Sequence, residues 1–314
     1  MKNKKTKTLL ILLMVILTTG CTKTLQNPET KKAVTNPTTG QSLTENILCR
    51  PKDEETLKLY EEHKVEVAKL PECEKFKVTS GGYEGLWNTI FVKPLAFIIL
   101  QIGKFVNNYG LSIVITSLLI RLIAYPITKK TAIQSELIKE AKPELDKLEK
   151  KYANKTDQQS MMKKSQEMTL IYKKYNINPI SGCVYSMIQL PLFIAFLEAI
   201  NRVPALFEGT FLTLQMGTSP YIAIAAGNYQ YIILILLVGI TTYFSFKLNS
   251  TSTSAEQGNT MTRVMVIMIL IMSVFMSSAL NLYWLTTNLF TVAQNLLVKK
   301  GGKKYEKLQV SRKN

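Results

Sequence analysis

YGLSIVITSLLIRLIAYPITKK, residues 109–130, reads as a helix that crosses a bilayer and ends at its cytoplasmic edge. At about 1.5 Å of rise per residue, Tyr109–Thr128 covers roughly 30 Å of hydrocarbon. Its one charge is Arg121, and Lys129 and Lys130 follow at once, as basic residues do on the cytoplasmic side of a span. Arg121 stands seven residues before Thr128, so it lies roughly 10 Å inside that edge. A charge near the centre of a span costs on the order of 2.5–3.5 kcal/mol, so it normally faces protein or a water-filled cavity. Snorkelling to the inner headgroups is the competing reading, and the depth argues against it. The sharper reading is a cationic groove that attracts acidic segments of a passing polypeptide.

Four more spans follow by the same criteria: Ile180–Ile200, Tyr229–Phe246, the short Val264–Met276, and Ala279–Val298. Pro191, Gly239 and Asn288 inside them are tolerable where neighbouring helices re-satisfy the backbone. Ile90–Val106 is apolar but interrupted by Lys93 and Lys104. Eleven positions apart, these point within about 20° of each other on a helix, which predicts an amphipathic helix lying along the interface. The fold class expected is therefore all-α and polytopic, with five transmembrane helices, one interfacial helix and a cytoplasmic helical hairpin.

The charges fix the orientation. The chain of 314 residues carries a formal net charge of +17, which leaves two broad classes, a nucleic-acid binder or a membrane protein with basic segments on one side. Residues 129–179 hold twelve Lys against seven acidic residues, and the tail 299–314 seven basic residues against one acid. Residues 22–88 hold ten basic and eleven acidic residues, and 203–228 hold only Glu208. The Lys/Arg excess alternates with the spans, so the amino terminus is expected outside and the carboxyl terminus in the cytoplasm.

The segment before the first span divides in two. Residues 1–20 read as a signal peptide, with Lys2, Lys4, Lys5 and Lys7 ahead of the apolar run Leu9–Leu17. Thr18-Thr19-Gly20-Cys21 resembles the lipobox of bacterial lipoproteins, which implies a lipid on Cys21. Residues 21–84 are expected to be an extracytoplasmic linker with a short helical segment. Asn27-Pro28, Asn36-Pro37 and Thr38-Thr39-Gly40 mark the loose part, and a charged helix lies near Asp53–Leu70, ended by Pro71. Cys49 and Cys73 flank that helix. They reach disulfide distance only if the chain folds back between them; two free thiols are the alternative. His63 is the only His, and with no ligand set around it no metal site is expected.

The cytoplasmic segment 129–179 has a pattern of its own. Ile138, Ala141, Leu145, Leu148 and Tyr152 form one apolar seam, and Met161, Met168, Ile171 and Tyr175 a second. Asn154-Lys155-Thr156-Asp157 makes the turn between them. An antiparallel hairpin with Lys-rich outer faces results, either simply solvated or a docking surface for acidic partners such as ribosomal RNA or a targeting receptor.

No phosphate loop, GxGxxG motif or metal-ligand cluster is present, so no cofactor and no enzymatic activity are expected. The polar side chains that could share a cavity with Arg121 are Gln189 on the second span and Tyr283, Trp284, Thr287 and Asn288 on the fifth. Thr and Asn also serve as interhelical glue and Trp as an interface anchor. Glu198, near the outer end of its span, is expected to be solvated.

Three stretches carry a family resemblance: 109–130, YKKYNINPISGCVYSMIQLPLFIAFLEAI (172–200) and LNLYWLTTNLFTVAQNLL (280–297). Over roughly 85–300 the chain resembles the YidC-type membrane-protein insertases of the Oxa/Alb superfamily, in the five-span form of Gram-positive-type bacteria. Val184-Tyr185 and Ser278-Ala279 depart from that pattern. The resemblance implies an insertase and chaperone of the plasma membrane whose hydrophilic groove opens to cytoplasm and lipid. Arg121 would be its groove arginine, with Gln189 and Trp284 facing it. It implies nascent membrane proteins as substrates, the hairpin and basic tail as recruiting surfaces toward the ribosome and signal-recognition machinery, and action alone or beside the Sec translocon. The rival reading is an anion or small-solute transporter using Arg121, against which stands the absence of an inverted repeat.

Overall fold

The computed structural model describes residues 22–178, 181–249 and 255–311, without the side chains of 181–188, 255–259, 261 or 300–311. The leader, Cys21 and the Asn-Pro entry to the second span at Pro179 lie outside these residues. In chain order the main elements are α1 (Glu54–Glu62), α2 (Lys93–Val106), α3 (Tyr109–Tyr152), α4 (Gln158–Lys174), α5 (Ser181–Arg202), α6 (Pro204–Glu208), α7 (Pro220–Ala225), α8 (Gln230–Asn249), α9 (Ala255–Phe275) and α10 (Ser278–Ser311). Between α6 and α7 a two-stranded hairpin pairs β1 (Thr210–Phe211) with β2 (Leu214–Gln215), Thr210 opposite Gln215.

Local chemistry sets the helix ends. Asp53 and Asp157 each accept a backbone N–H three residues on, from Thr56 and Ser160 at 2.8 Å, and so cap α1 and α4. Asn107 takes the left-handed conformation at φ 52° and donates its N–H to the Gly103 carbonyl, ending α2. The next residue, Asn108, accepts the Leu111 N–H at 2.8 Å and starts α3. Among the described residues, Asn88–Val106, Tyr109–Tyr152 and Tyr231–Asn249 are long and apolar enough to cross a membrane, and Thr262–Phe275 is apolar but shorter. The first span and the first arm of the hairpin are one continuous 44-residue helix, with Pro126 and Pro143 inside it. Each proline removes one backbone bond, and the helix runs on through both.

The chain divides into two compact units. One comprises residues 1–118, 190–236 and 272–284, the other 119–189, 237–271 and 285–314. In the first, Leu25, Val34, Leu43, Ile47, Tyr60 and Val67 make an apolar core. The stretch expected to be a loose linker is thus folded, because its apolar residues find one another. Cys49 and Cys73 form a disulfide there, their Cα atoms 4.8 Å apart. The chain folds back after α1 through two short turns, and Arg50 N donates to the Pro71 carbonyl at 2.8 Å.

In the second unit the hairpin packs Ile138, Ala141 and Leu145 of α3 against Met168, Ile171, Tyr172, Tyr175 and Ile177. Leu148 and Tyr152 are buried too. Met161, expected in the second seam, is 52% exposed, because it belongs to the first turn of α4, beyond the packed length of the two arms.

Candidate functional site

Arg121 sits on α3 with 4% of its surface exposed. Its Nη2 donates to Gln189 Oε1 on α5 at 2.6 Å. Its Nε is buried and has no hydrogen-bond partner among the described residues. A buried donor left open costs about 1–3 kcal/mol, more when charged, so the guanidinium retains an unmet demand for an acceptor. No described carboxylate forms an ion pair with it.

More polar groups line the helices of the same unit. Thr128, two turns along α3 from Arg121, places Oγ1 3.1 Å from Gln294 Oε1 on α10. Asn288 donates from Nδ2 to Thr242 Oγ1 on α8 at 2.8 Å. Thr291 and Asn295 donate to carbonyls one turn back, those of Thr287 and Thr291, each at 2.8 Å. Asn288, Thr291 and Asn295 step by three and four along one face of α10, and all three are buried. The Thr128–Gln294 and Asn288–Thr242 bonds join helices, typically for about 0.6 kcal/mol apiece. Thr242, Gln294 and Asn295 were not singled out from the sequence; the three-and-four spacing from Asn288 was the signal for Asn295.

Tyr283 and Trp284 belong to the other unit. Tyr283 stacks on Phe196 with ring centroids 4.1 Å apart, and Trp284 meets Phe193 edge-on at 5.0 Å. Both phenylalanines lie on α5. Of the residues read from the sequence, the fold thus brings Arg121 to Gln189, keeps Thr287 and Asn288 in the same unit, and sets Tyr283 and Trp284 in an aromatic cluster.

That first unit holds a charge cluster the sequence did not suggest. Arg202, at the end of α5, is 1% exposed. Its Nε donates to the Asn46 carbonyl at 2.6 Å, its Nη1 to Asn88 Oδ1 at 2.7 Å, and its Nη2 to Glu84. Glu84 also holds Lys93 Nζ at 3.1 Å, and Lys93 donates to the carbonyls of Ser80 at 2.8 Å and Gly82 at 2.5 Å. Lys93 is therefore buried, whereas the interfacial stripe predicted it at the headgroups beside the exposed Lys104. Glu198, expected to be solvated, is 3% exposed and accepts the Trp87 indole N–H at 3.0 Å. Glu84 and Arg202 are 118 residues apart, and no local spacing announces such a pair. Glu208, just beyond, accepts the Lys52 N–H at 3.1 Å, and burial pushes its carboxyl above the usual range.

On the hairpin two glutamates are each held by a lysine and a tyrosine. Lys174 and the Tyr175 hydroxyl both donate to Glu144, at 2.5 and 2.9 Å. Lys151 and the Tyr152 hydroxyl do the same to Glu167, at 2.7 and 2.9 Å. These donors, the lysines first, hold both carboxyls below the ordinary range. Lys139 is turned inward, donating to Glu136 at 2.6 Å and to the Leu248 carbonyl at 2.8 Å.

Long apolar helices with charge buried among them define a membrane-embedded helical protein. Residues 101–306 match the family model described as 60Kd inner membrane protein. The membrane protein insertase YidC of Oceanobacillus iheyensis is 36% identical over 219 residues, 69% of this chain and 85% of the relative. The membrane protein insertase MisCA of Bacillus subtilis is 34% identical over 217 residues, 68% of this chain and 79% of that one. A solved structure, "Active YidC insertase crystal structure with the first transmembrane domain resolved", is 21% identical with a TM-score of 0.46; the match covers 76% of this chain and 52% of that one. A likeness that loose carries no argument. The chain belongs to the 60Kd inner membrane protein family, the YidC-type insertases. The names of its relatives describe an insertase rather than a catalytic activity.

Proposed function

We propose that this protein inserts membrane proteins into the bilayer, and that Arg121 is the working charge of a hydrophilic groove. The observation that carries the reading is a guanidinium buried in a span, bonded on one side to Gln189 and open at Nε. A polar tail crossing hydrocarbon pays heavily for lost hydration. A buried cation with an unmet donor gives an acidic or carbonyl-rich tail a partner part-way across. Transfer of the substrate's own apolar span into lipid then completes insertion. Gln189 orients the arginine. Thr287 and Asn288 extend the polar lining.

In this reading five spans, 109–128, 180–200, 229–246, 264–276 and 279–298, surround the groove, with 90–106 along the interface. The fourth span, about 20 Å long at 1.5 Å per residue, thins the bilayer and shortens the path. The amino terminus lies outside, lipid-anchored at Cys21 after removal of residues 1–20. The hairpin 129–179 and the tail 299–314 lie in the cytoplasm, where their lysines recruit ribosomes and signal-recognition machinery. Nascent membrane proteins are the substrates, handled alone or beside the Sec translocon.

The test is rescue of an insertase-depleted bacterial strain. The wild-type chain is expected to restore insertion, and Arg121→Ala to reduce it at least tenfold for substrates with acidic translocated tails while affecting neutral tails little. Equal insertion of acidic-tailed substrates by Arg121→Ala defeats the groove assignment.

A further inference from the structure

Residues 24–46 contain a nine-residue repeat that closes on itself. TLQNPETKK (24–32), AVTNPTTGQ (33–41) and the partial SLTEN (42–46) align position by position. The backbone repeats with the sequence. Leu25 N donates to the Leu43 carbonyl, Val34 N to that of Leu25 and Leu43 N to that of Val34, each at 2.8 Å. One position set along, Asn27 N reaches the Lys32 carbonyl, Asn36 N that of Gln41 and Glu45 N that of Lys23, at 2.9, 2.9 and 2.7 Å. The result is a three-sided module with Leu25, Val34 and Leu43 pointing into one core. At two corners an Asn-Pro turn is built identically. Asn27 Oδ1 accepts the N–H groups of Glu29 and Thr30, and Asn36 Oδ1 those of Thr38 and Thr39.

The two corners differ at one place. Lys31 and Gly40 are equivalent, and both are left-handed, at φ 56° and 68°. The first corner shows that this turn accommodates a lysine. Glycine at the second makes room for a neighbour: a Cβ there would collide with the end of the Ile222 side chain on α7 and force it to move. Beside it, Gln41 Oε1 occupies the room left by the absent side chain of Gly217. The end of the module is tied to α5. Asn46 Oδ1 accepts the Lys23 N–H at 3.1 Å, and the Asn46 carbonyl accepts Arg202 Nε–H at 2.6 Å. Two residues on, Leu48 N caps the Arg202 carbonyl at 2.7 Å, a group that a helix end leaves without an intrahelical partner.

We propose that this module is a strap: a folded brace that holds the ends of α5 and α7, with Gly40 as its docking point, and that insertion depends on it. The functional half rests on the insertase reading; the structural half does not.

The experiment is amide hydrogen exchange on the full-length protein in lipid nanodiscs, without substrate. Gly40→Lys copies the first corner, so exchange at Val34 and Leu43 is expected to stay within about twofold, while Leu48, Ala223 and Ala226 exchange about tenfold faster as docking is lost. Lys31→Gly is expected to change none of these amides beyond about twofold. Unchanged exchange at Leu48, Ala223 and Ala226 in Gly40→Lys overturns the strap, whether or not the module itself stays folded. In depleted cells Gly40→Lys is expected to insert substrates at least threefold more slowly than wild type. Insertion at the wild-type rate despite faster exchange removes the functional half. A wild-type chain that inserts nothing would refute the insertase reading and leave the exchange result standing.

Discussion

Arg121 and Arg202 are both buried arginines on long helices, and they are provided for in opposite ways. Arg202 has a carboxylate, a side-chain amide and a backbone carbonyl, one for each nitrogen. Among the described residues Arg121 has one amide oxygen, from Gln189, and no partner at Nε. A buried charge whose hydrogen-bonding capacity is met is part of the scaffold, since removing it strands its partners. A buried charge whose capacity is not met is poorly explained by stability and well explained by a transient acceptor. Burial alone would have ranked the two together; the partner list separates them.

The largest expected effect follows from that contrast. Arg202→Met leaves Glu84 with Lys93 as its remaining cation in a buried setting and should destabilise the protein by about 3 kcal/mol. Arg121→Met strands Gln189, its partner among the described residues, and should change stability by about 1 kcal/mol or less. Thermal unfolding of both variants in the same nanodiscs measures the difference, and equal losses would erase the distinction between scaffold charge and working charge.

The next effect sharpens the fixed side of the comparison. Cys49 is adjacent to Leu48, which caps the Arg202 carbonyl, and the disulfide to Cys73 closes 24 residues of chain. Replacing both cysteines by serine should cost about 3 kcal/mol on the loop-entropy account. Unfolding with and without reductant gives the value. A loss confined to residues 22–93, with Arg202 still protected from exchange, would show that the disulfide stabilises the amino-terminal segment alone.

The smallest effect concerns charges that are paired but exposed. Glu144 and Glu167 have folded-state pKa values below those of the unfolded chain, because Lys174 with Tyr175, and Lys151 with Tyr152, favour the carboxylates. Their contribution is present above the unfolded carboxylate pKa and is lost as pH falls through the lower folded one. Lys151→Ala and Lys174→Ala should therefore speed proteolysis of the hairpin slightly at pH 7, and by less as the pH falls below the ordinary carboxylate range. Surface pairs of this kind contribute little, and a large effect at pH 7 would place them with Arg202 rather than with the solvated surface.

Much of this was legible from local pattern. The seam Ile138, Ala141, Leu145 could be read because a helix repeats every 3.6 residues, and Arg121 stood out because hydrocarbon makes one charge conspicuous. Met161 was misread because the spacing that places it on a face says nothing of where the opposing arm ends. Glu198 reads as solvated because its partner Trp87 is 111 residues away, and Lys93 reads as interfacial because its partners Ser80, Gly82 and Glu84 lie in a stretch that reads as linker. The nine-residue repeat passed as a linker because Asn, Pro, Thr and Gly mark turns equally well in loose and in folded segments.

What the sequence determined by itself is what short-range physics decides: which stretches are helical and apolar, where the lysines cluster, and which arginine stands alone in an apolar stretch. What only the tertiary structure decided is which polar groups meet: Arg121 with Gln189, Asn288 with Thr242, Glu84 with Arg202 and Lys93, and Gly40 with Ile222. Hydropathy and periodicity are properties of neighbours along the chain. A hydrogen bond between residues a hundred positions apart exists only once packing has closed the distance, and that packing determines whether a buried charge is satisfied or left open.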